Sequence, residues 1–266
     1  GKIASEITQL WLDTKGNVDF ARGLVDQYAE HSTSQRFAIT QLTVVRNSSD
    51  AHLDTISRLI LLTRHKLQSV RLRRIAFGKS DTAGFLWSSI SQCMQLTDLE
   101  YEPRKTDMIS RQLIIDALCG KKVDSLILAN VMDLCVSDLI SIASSNGLSM
   151  LRVKGNLLGP NELIEQTQFD STLINLDNLL IHMDVDFSLT CPRERRNLLV
   201  LMKSLKESAI LEVIQIAPEC PIEIAKIISY WLHLAEETNR QVLLKLDGIS
   251  QDLQDAAVGR LMRKVD

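Results

Sequence analysis

The sequence predicts an α/β solenoid in which a short strand and a helix alternate about eight times. The strands would make a curved parallel sheet on the concave face and the helices the convex layer. Three observations predict it. A six-residue pattern, apolar–x–x–apolar–x–apolar, recurs along the chain at a nearly constant step. The segments between recurrences carry helical periodicity. Most of those segments open on Ser, Thr or Asp, the residues that cap helix N-termini. One such unit cannot bury its own apolar face, so the units must stack.

The elements follow in chain order. "ASEITQLWLDT" (4–14) and "VDFARGLVDQYAEH" (18–31) read as amphipathic helices and give a helical cap over 1–35. The repeat array occupies 36–248. Its strands start at Ile39 ("ITQLTV"), Leu67 ("LQSVRL"), Leu96 ("LTDLEY"), Val123 ("VDSLIL") and Leu148 ("LSMLRV"). Three more start at Leu176 ("LDNLLI"), Leu211 ("LEVIQI") and Gln241 ("QVLLKL"), the last imperfect at its first position. The steps are 28, 29, 27, 25, 28, 35 and 30 residues. One match means little in a leucine-rich chain, but eight near one period mark a repeat protein. Between them "SDAHLDTISRLILLTRH", "SDTAGFLWSSISQCMQ", "TDMISRQLIIDALCG" and "DLCVSDLISIASSN" read as helices. So does "CPIEIAKIISYWLHLAEETN", with Pro221 near its first turn. Trp87 and Trp231 fall in these helices among apolar residues and are expected in the core. "SQDLQDAAVGRLMRKV" reads as a closing helix, within a C-terminal cap over 249–266.

This pattern resembles the leucine-rich repeat family in its longer strand–helix form, like that of ribonuclease inhibitor, over roughly 36–248. The resemblance implies that an asparagine after the strand bonds backbone groups where the chain turns away. Asn47 and Asn156 match that place. The other six repeats hold Ile75, Arg104, Val131, Asp184, Glu219 and Ile249 there, so a divergent, irregular array is expected.

Composition narrows the function. With 266 residues, 45% hydrophobic content and only 5% aromatics, the chain has material for a large aliphatic core. Its net charge of -3 exerts no general pull on nucleic acid or anionic membrane. Five cysteines, none in a CxxC pair, suit a reduced intracellular setting, cytoplasmic or nuclear. No apolar run reaches the length of a membrane span, and no signal peptide is expected. The opening Gly1-Lys2, without methionine, reads as a piece of a longer protein.

The search for chemistry returns no phosphate loop, no GxSxG and no HExxH. The five histidines are scattered without metal-ligand spacing. No catalytic residue, metal site or cofactor is therefore expected. What remains is a surface. Residues flanking the inner positions of a strand point to the opposite face. One outward column reads Thr43, Arg71, Glu100, Ile127, Arg152, Leu180, Gln215, Lys245. The next reads Val45, Arg73, Glu102, Ala129, Lys154, His182, Ala217, Asp247. Arg71 and Arg73, Glu100 and Glu102, Ile127, Arg152 and Lys154, with His182, form a mosaic suited to a protein partner. Neighbouring rows of opposite sign would otherwise neutralise one another as solvated pairs worth under about 1 kcal/mol each. The long 35-residue step places an insertion in "DVDFSLTCPRERR", making Arg193, Arg195 and Arg196 a second candidate contact. The expected function is a non-enzymatic protein–protein interaction module within a larger adaptor, receptor or scaffold. The alternatives are the substrate-recognition part of a ubiquitin ligase adaptor, an enzyme regulator, or an RNA-binding solenoid.

Overall fold

The computed structural model describes residues 8–13, 18–30, 39–47, 49–104, 109–131, 148–154, 176–183 and 192–250. It also describes the short pieces 134, 138–139, 141–143 and 252–253. The chain divides into two compact units, Gly1–Met132 with Ser145–Leu148 and Asp133–Ser144 with Ser149–Asp266.

In the first unit, strands β1 (Gln9–Asp13), β2 (Gln41–Val45), β3 (Ser69–Ile75), β4 (Asp98–Pro103) and β5 (Ser125–Ala129) pair in sequence order, all parallel. Between them lie helices α1 (Val18–Glu30), α2 (Asp50–Thr63), α3 (Ser80–Ser91) and α4 (Ser110–Leu118). A parallel crossover is almost always right-handed, and with every strand added on the same side all helices fall on one face of the sheet. Burial follows that rule. Leu10 and Leu12, Leu42 and Val44, Val70 and Leu72, Leu99 and Tyr101, and Leu126 and Leu128 are buried, while the residue between each pair is exposed or half-exposed.

The second unit repeats the scheme with β6 (Met150–Lys154), β7 (Asn178–Met183), β8 (Ile210–Ile216) and β9 (Val242–Asp247). Helices α5 (Pro192–Ser204) and α6 (Pro221–Thr238) join the last three strands. Asn156 and most of the C-terminal cap, 249–266, lie outside the described residues.

A backbone ladder fixes the register of neighbouring repeats. The carbonyl of Thr8 accepts from the amides of Thr40 and Gln41, that of Thr40 from Gln68 and Ser69, and that of Gln68 from Thr97 and Asp98. Thr97 repeats this with Asp124 and Ser125, and in the second unit Ser149 does so with Asp177 and Asn178. Each carbonyl ahead of a strand thereby uses both lone pairs, which satisfies backbone groups that the sheet ladder has not yet reached.

At the ends of β2, β3 and β5 the chain passes through one left-handed residue. Arg46 just after β2, Arg74 next to last in β3 and Asn130 just after β5 stand at φ 70, 56 and 51. β4 departs from this because Pro103 occupies the place, and its ring fixes φ near -65°. The mismatch is absorbed as a register shift between Arg73 and Ile75, with Ile75 rather than Arg74 opposite Pro103. Asn47, one residue past Arg46, acts on backbone as its position in the repeat pattern implied. Its amide donates to the Ala76 carbonyl at 2.5 Å and its carbonyl accepts from the Ala76 amide at 2.7 Å. In the same stretch the Gly78 amide donates to Asp50 at 2.9 Å, and a Cβ on Gly78 would meet that carboxylate at 2.6 Å. Asn47→Ala is expected to leave the two Ala76 groups unpaired, at a cost of about 1–3 kcal/mol, read as a lower urea midpoint at unchanged slope.

Three expectations change. Residues 9–13, expected within a cap helix, are strand β1. Leu10 and Leu12 alternate with the exposed Trp11 and pair with Leu42 and Val44. In β8 the inner residues are Leu211 and Val213, opposite Leu179 and Ile181, not Ile214 and Ile216. A shift by an odd number exchanges the faces, so Gln215 and Ala217, expected outward, are buried. Glu212 and Ile214 take the outward places. Pairing Leu179 with Leu211 also shortens the apparent 35-residue step to 32.

Candidate functional site

The candidate site is the sheet face opposite the helices, in each unit taken separately. Parallel sheets are normally covered on both faces and their strands are apolar throughout. These strands alternate instead, so one face is polar and open among the described residues.

In the first unit the register assembles one transverse row, Trp11–Thr43–Arg71–Glu100–Ile127, and beside it a second, Asp13–Val45–Arg73–Glu102. Adjacent members are about 4.8 Å apart, the strand spacing. Trp11 is 68% exposed. Arg71 is exposed, and Thr43, Arg73, Glu100, Glu102 and Ile127 are half-exposed. Ala129, expected outward, is buried at the end of β5.

Glu100 is the centre of the charged part. Arg73 grips it with two hydrogen bonds, Nε to Oε1 at 2.7 Å and Nη2 to Oε2 at 2.9 Å. Arg71 Nε stands 4.0 Å from Oε2. The fork of a guanidinium matches a carboxylate, so this pair is fixed in geometry as well as charge. The hydrogen bonds to Glu100 hold Arg73 protonated above its ordinary range; its partial burial opposes this, and the charges of Glu100 and Glu102 add to it. Sequence reasoning placed the two arginines and two glutamates on neighbouring strands, and the structure brings Arg73 and Glu100 into contact across one row. It missed Trp11. Its signal was present: "ITQLWL" at 7–12 matches "ITQLTV" at 39–44 residue for residue at four of six places.

In the second unit the corresponding row is Arg152–Leu180–Glu212–Leu243, with Arg152 exposed and Leu243 57% exposed. Lys154 and His182 fall opposite each other on β6 and β7, but their side chains lie outside the described part. Arg193, Arg195 and Arg196, expected in or beside an inserted loop, stand in the first turns of α5. The side chain of Arg193 is outside the described part. Arg195 donates to Glu237 on α6 at 2.8 Å, which holds that carboxyl below its ordinary range. Arg196 is exposed.

Away from the sheet face, burial shifts several titratable groups. His52, in the first turn of α2, is buried, and burial lowers its pKa. Burial pushes the Cys93 thiol up to about 11, against the pull of Lys121, whose Nζ donates to the Cys93 carbonyl at 2.9 Å. Trp87 and Trp231 are 1% exposed, in the core as expected; the indole of Trp231 donates to Gln215 at 3.1 Å. Among the described residues no three His, Cys, Asp or Glu side chains are grouped to hold a metal, and no helix is long and apolar enough to cross a membrane. No model of a known protein family matches the chain, and no curated protein matches it either.

Proposed function

We propose that the chain is a non-enzymatic binding module of leucine-rich repeat type, holding a protein partner on the open face of its sheet as part of an adaptor, receptor or scaffold. The observation that carries this reading is the row Trp11–Thr43–Arg71–Glu100–Ile127. It sets an exposed tryptophan and an exposed arginine, the residue types most enriched at binding hot spots, on adjacent strands of a rigid sheet. Backbone ladders hold those strands, so little ordering is lost on association. Both signs of charge occur within two strands, which selects a protein surface over a polyanion.

The test is affinity capture from cell extract with three forms of the chain, identified by mass spectrometry. Wild type and Arg58→Ala, altered on the exposed side of α2, are expected to recover the same protein. The double variant Trp11→Ala/Arg71→Glu is expected to lose it. Recovery by all three would remove the sheet face as the site.

A further inference from the structure

Three consecutive strands of the first unit each carry an arginine at their C-terminal end: Arg46 just after β2, Arg74 next to last in β3 and Arg104 just after β4. Arg74 and Arg104 are exposed and Arg46 is half-exposed. The backbone builds this placement. Arg46 and Arg74 stand at φ 70 and 56, where an L-residue other than Asn or Asp is disfavoured by roughly 1–2 kcal/mol. Asn130, an ordinary occupant of such a turn, holds the place after β5. At Arg74 the left-handed turn makes the arginine the extra residue of the strand, so the inward position passes to Ile75, which is fully buried. The turns are joined side by side: the Arg46 amide donates to the Arg73 carbonyl at 2.7 Å and the Arg104 amide to the Ile75 carbonyl at 2.6 Å.

Among the described residues, two nearby acids are engaged. Glu100 is taken by Arg73 in two hydrogen bonds, and Asp50 accepts from the Gly78 amide. Glu102 lies beside Arg73 on the adjacent strand. Among the described residues Arg46, Arg74 and Arg104 make no ion pair. Three arginines therefore follow one another at the C-terminal ends of adjacent strands, their backbones about a strand spacing apart, with Arg71 and Arg73 on the face behind them.

We infer that this ridge takes the carboxylates of an acidic peptide segment, belonging to the protein partner proposed above; the inference rests on that reading. A peptide lying extended along the edge presents same-side residues about 6.7 Å apart, a spacing that long arginine side chains at neighbouring turns can follow. Each carboxylate can then accept the two parallel hydrogen bonds of a guanidinium. A continuous polyphosphate fits less well. Glu102 stands one row away on the face and Glu100 two, and Phe77, three residues from Arg74, is half-buried with its ring 6.4 Å from that of Tyr101.

The experiment is fluorescence anisotropy at low ionic strength with three labelled probes: hexaglutamate, hexaglutamine and a short oligothymidylate. The ridge variant is Arg46→Asn/Arg74→Asn/Arg104→Gln, asparagine being tolerated at positive φ. The control is Lys66→Gln/Lys122→Gln, which removes exposed cations ahead of β3 and β5, at the opposite ends of the strands. Hexaglutamate is expected to bind, to lose at least about tenfold in affinity to the ridge variant, and to be unchanged by the control; hexaglutamine is expected not to bind. Arg104→Gln alone, outside the left-handed turns, is expected to lose about threefold and serves if the triple variant does not fold. Equal loss in ridge variant and control, no preference for hexaglutamate over hexaglutamine, or tighter binding of oligothymidylate would each overturn the inference. In the capture experiment, a partner lost by Trp11→Ala/Arg71→Glu but kept by the ridge variant sinks the ridge alone. A partner kept by both sinks the sheet-face reading as well.

Discussion

Trp87→Ala is expected to lower the melting temperature of the first unit by roughly 10–20 °C, because three separate interactions end at that ring. The side chain is 1% exposed, and truncating a buried tryptophan costs about 3–5 kcal/mol in lost transfer and cavity formation. Its ring meets Tyr101 edge-on, with centroids 5.0 Å apart and planes at 81°, an arrangement worth about 0.5–1.5 kcal/mol beyond area. Its indole N–H donates to Ser110 Oγ at 2.9 Å. The tryptophan on α3 thus joins β4 to the first residue of α4. The truncation cost of about 3–5 kcal/mol already contains the ring and hydrogen-bond losses, and at roughly 3–4 °C per kcal/mol for a unit of this size it gives the stated shift. Trp87→Phe keeps an aromatic ring and loses the donor, so it is expected to cost about 1–2 kcal/mol. Circular-dichroism melts of both variants check the ratio. A Trp87→Ala melt within 3 °C of wild type, on the order of a single surface substitution, would mean the ring is not the joint between these repeats.

The strand–helix alternation was legible because one apolar pattern recurs many times along the chain. Leu42 and Val44, Val70 and Leu72, Leu99 and Tyr101, and Leu126 and Leu128 all sit where the pattern put them. Single repeats were less legible. Around β8 the chain reads Leu211, Val213, Ile214, Ile216, with apolar residues on both faces, and spacing alone cannot say which pair faces the helices. Tertiary partners decide: Leu179 and Ile181 on β7 and Trp231 on α6 place Leu211, Val213 and Gln215 inside. β1 was lost for another reason. Isolated from the array by a helix, "ASEITQLWLDT" satisfies a helical template as well as a strand template, and only pairing with β2 selects the strand.

The candidate face was legible to the same extent as the register. Arg71, Arg73, Glu100 and Glu102 followed from strands read correctly, and their opposite charges made contact foreseeable. The grip of Arg73 on Glu100 in preference to Arg71 was not foreseeable, because it depends on a diagonal approach between neighbouring rows. The arginine ridge was hidden too. Arg46 and Arg74 belong to no apolar period, and a left-handed arginine leaves no trace in composition.

The register of β8 makes the second large prediction. Val213 is fully buried, and Ile214 is half-exposed on the open face. Val213→Asp would place a carboxylate between the apolar Ile181 and Leu244 of the neighbouring strands. Even a neutral polar group costs several kcal/mol there when unpaired, and the charged form costs more. A typical domain is stable by about 5–15 kcal/mol, so Val213→Asp is expected to abolish cooperative unfolding of the second unit. Ile214→Asp changes a residue that solvent reaches and is expected to cost under about 1.5 kcal/mol. The neighbouring Gln215 gives the reason why the pair discriminates. It is buried and accepts the Trp231 indole N–H, so the strand cannot slip by one residue to rescue Val213→Asp without breaking that bond and turning Gln215 to the open face. Urea unfolding of the two variants, followed by hydrogen exchange at the amides of β7 to β9, separates the registers. Native protection in Ile214→Asp with none in Val213→Asp is the expected result, and the reverse would put Ile214 and Ile216 inside.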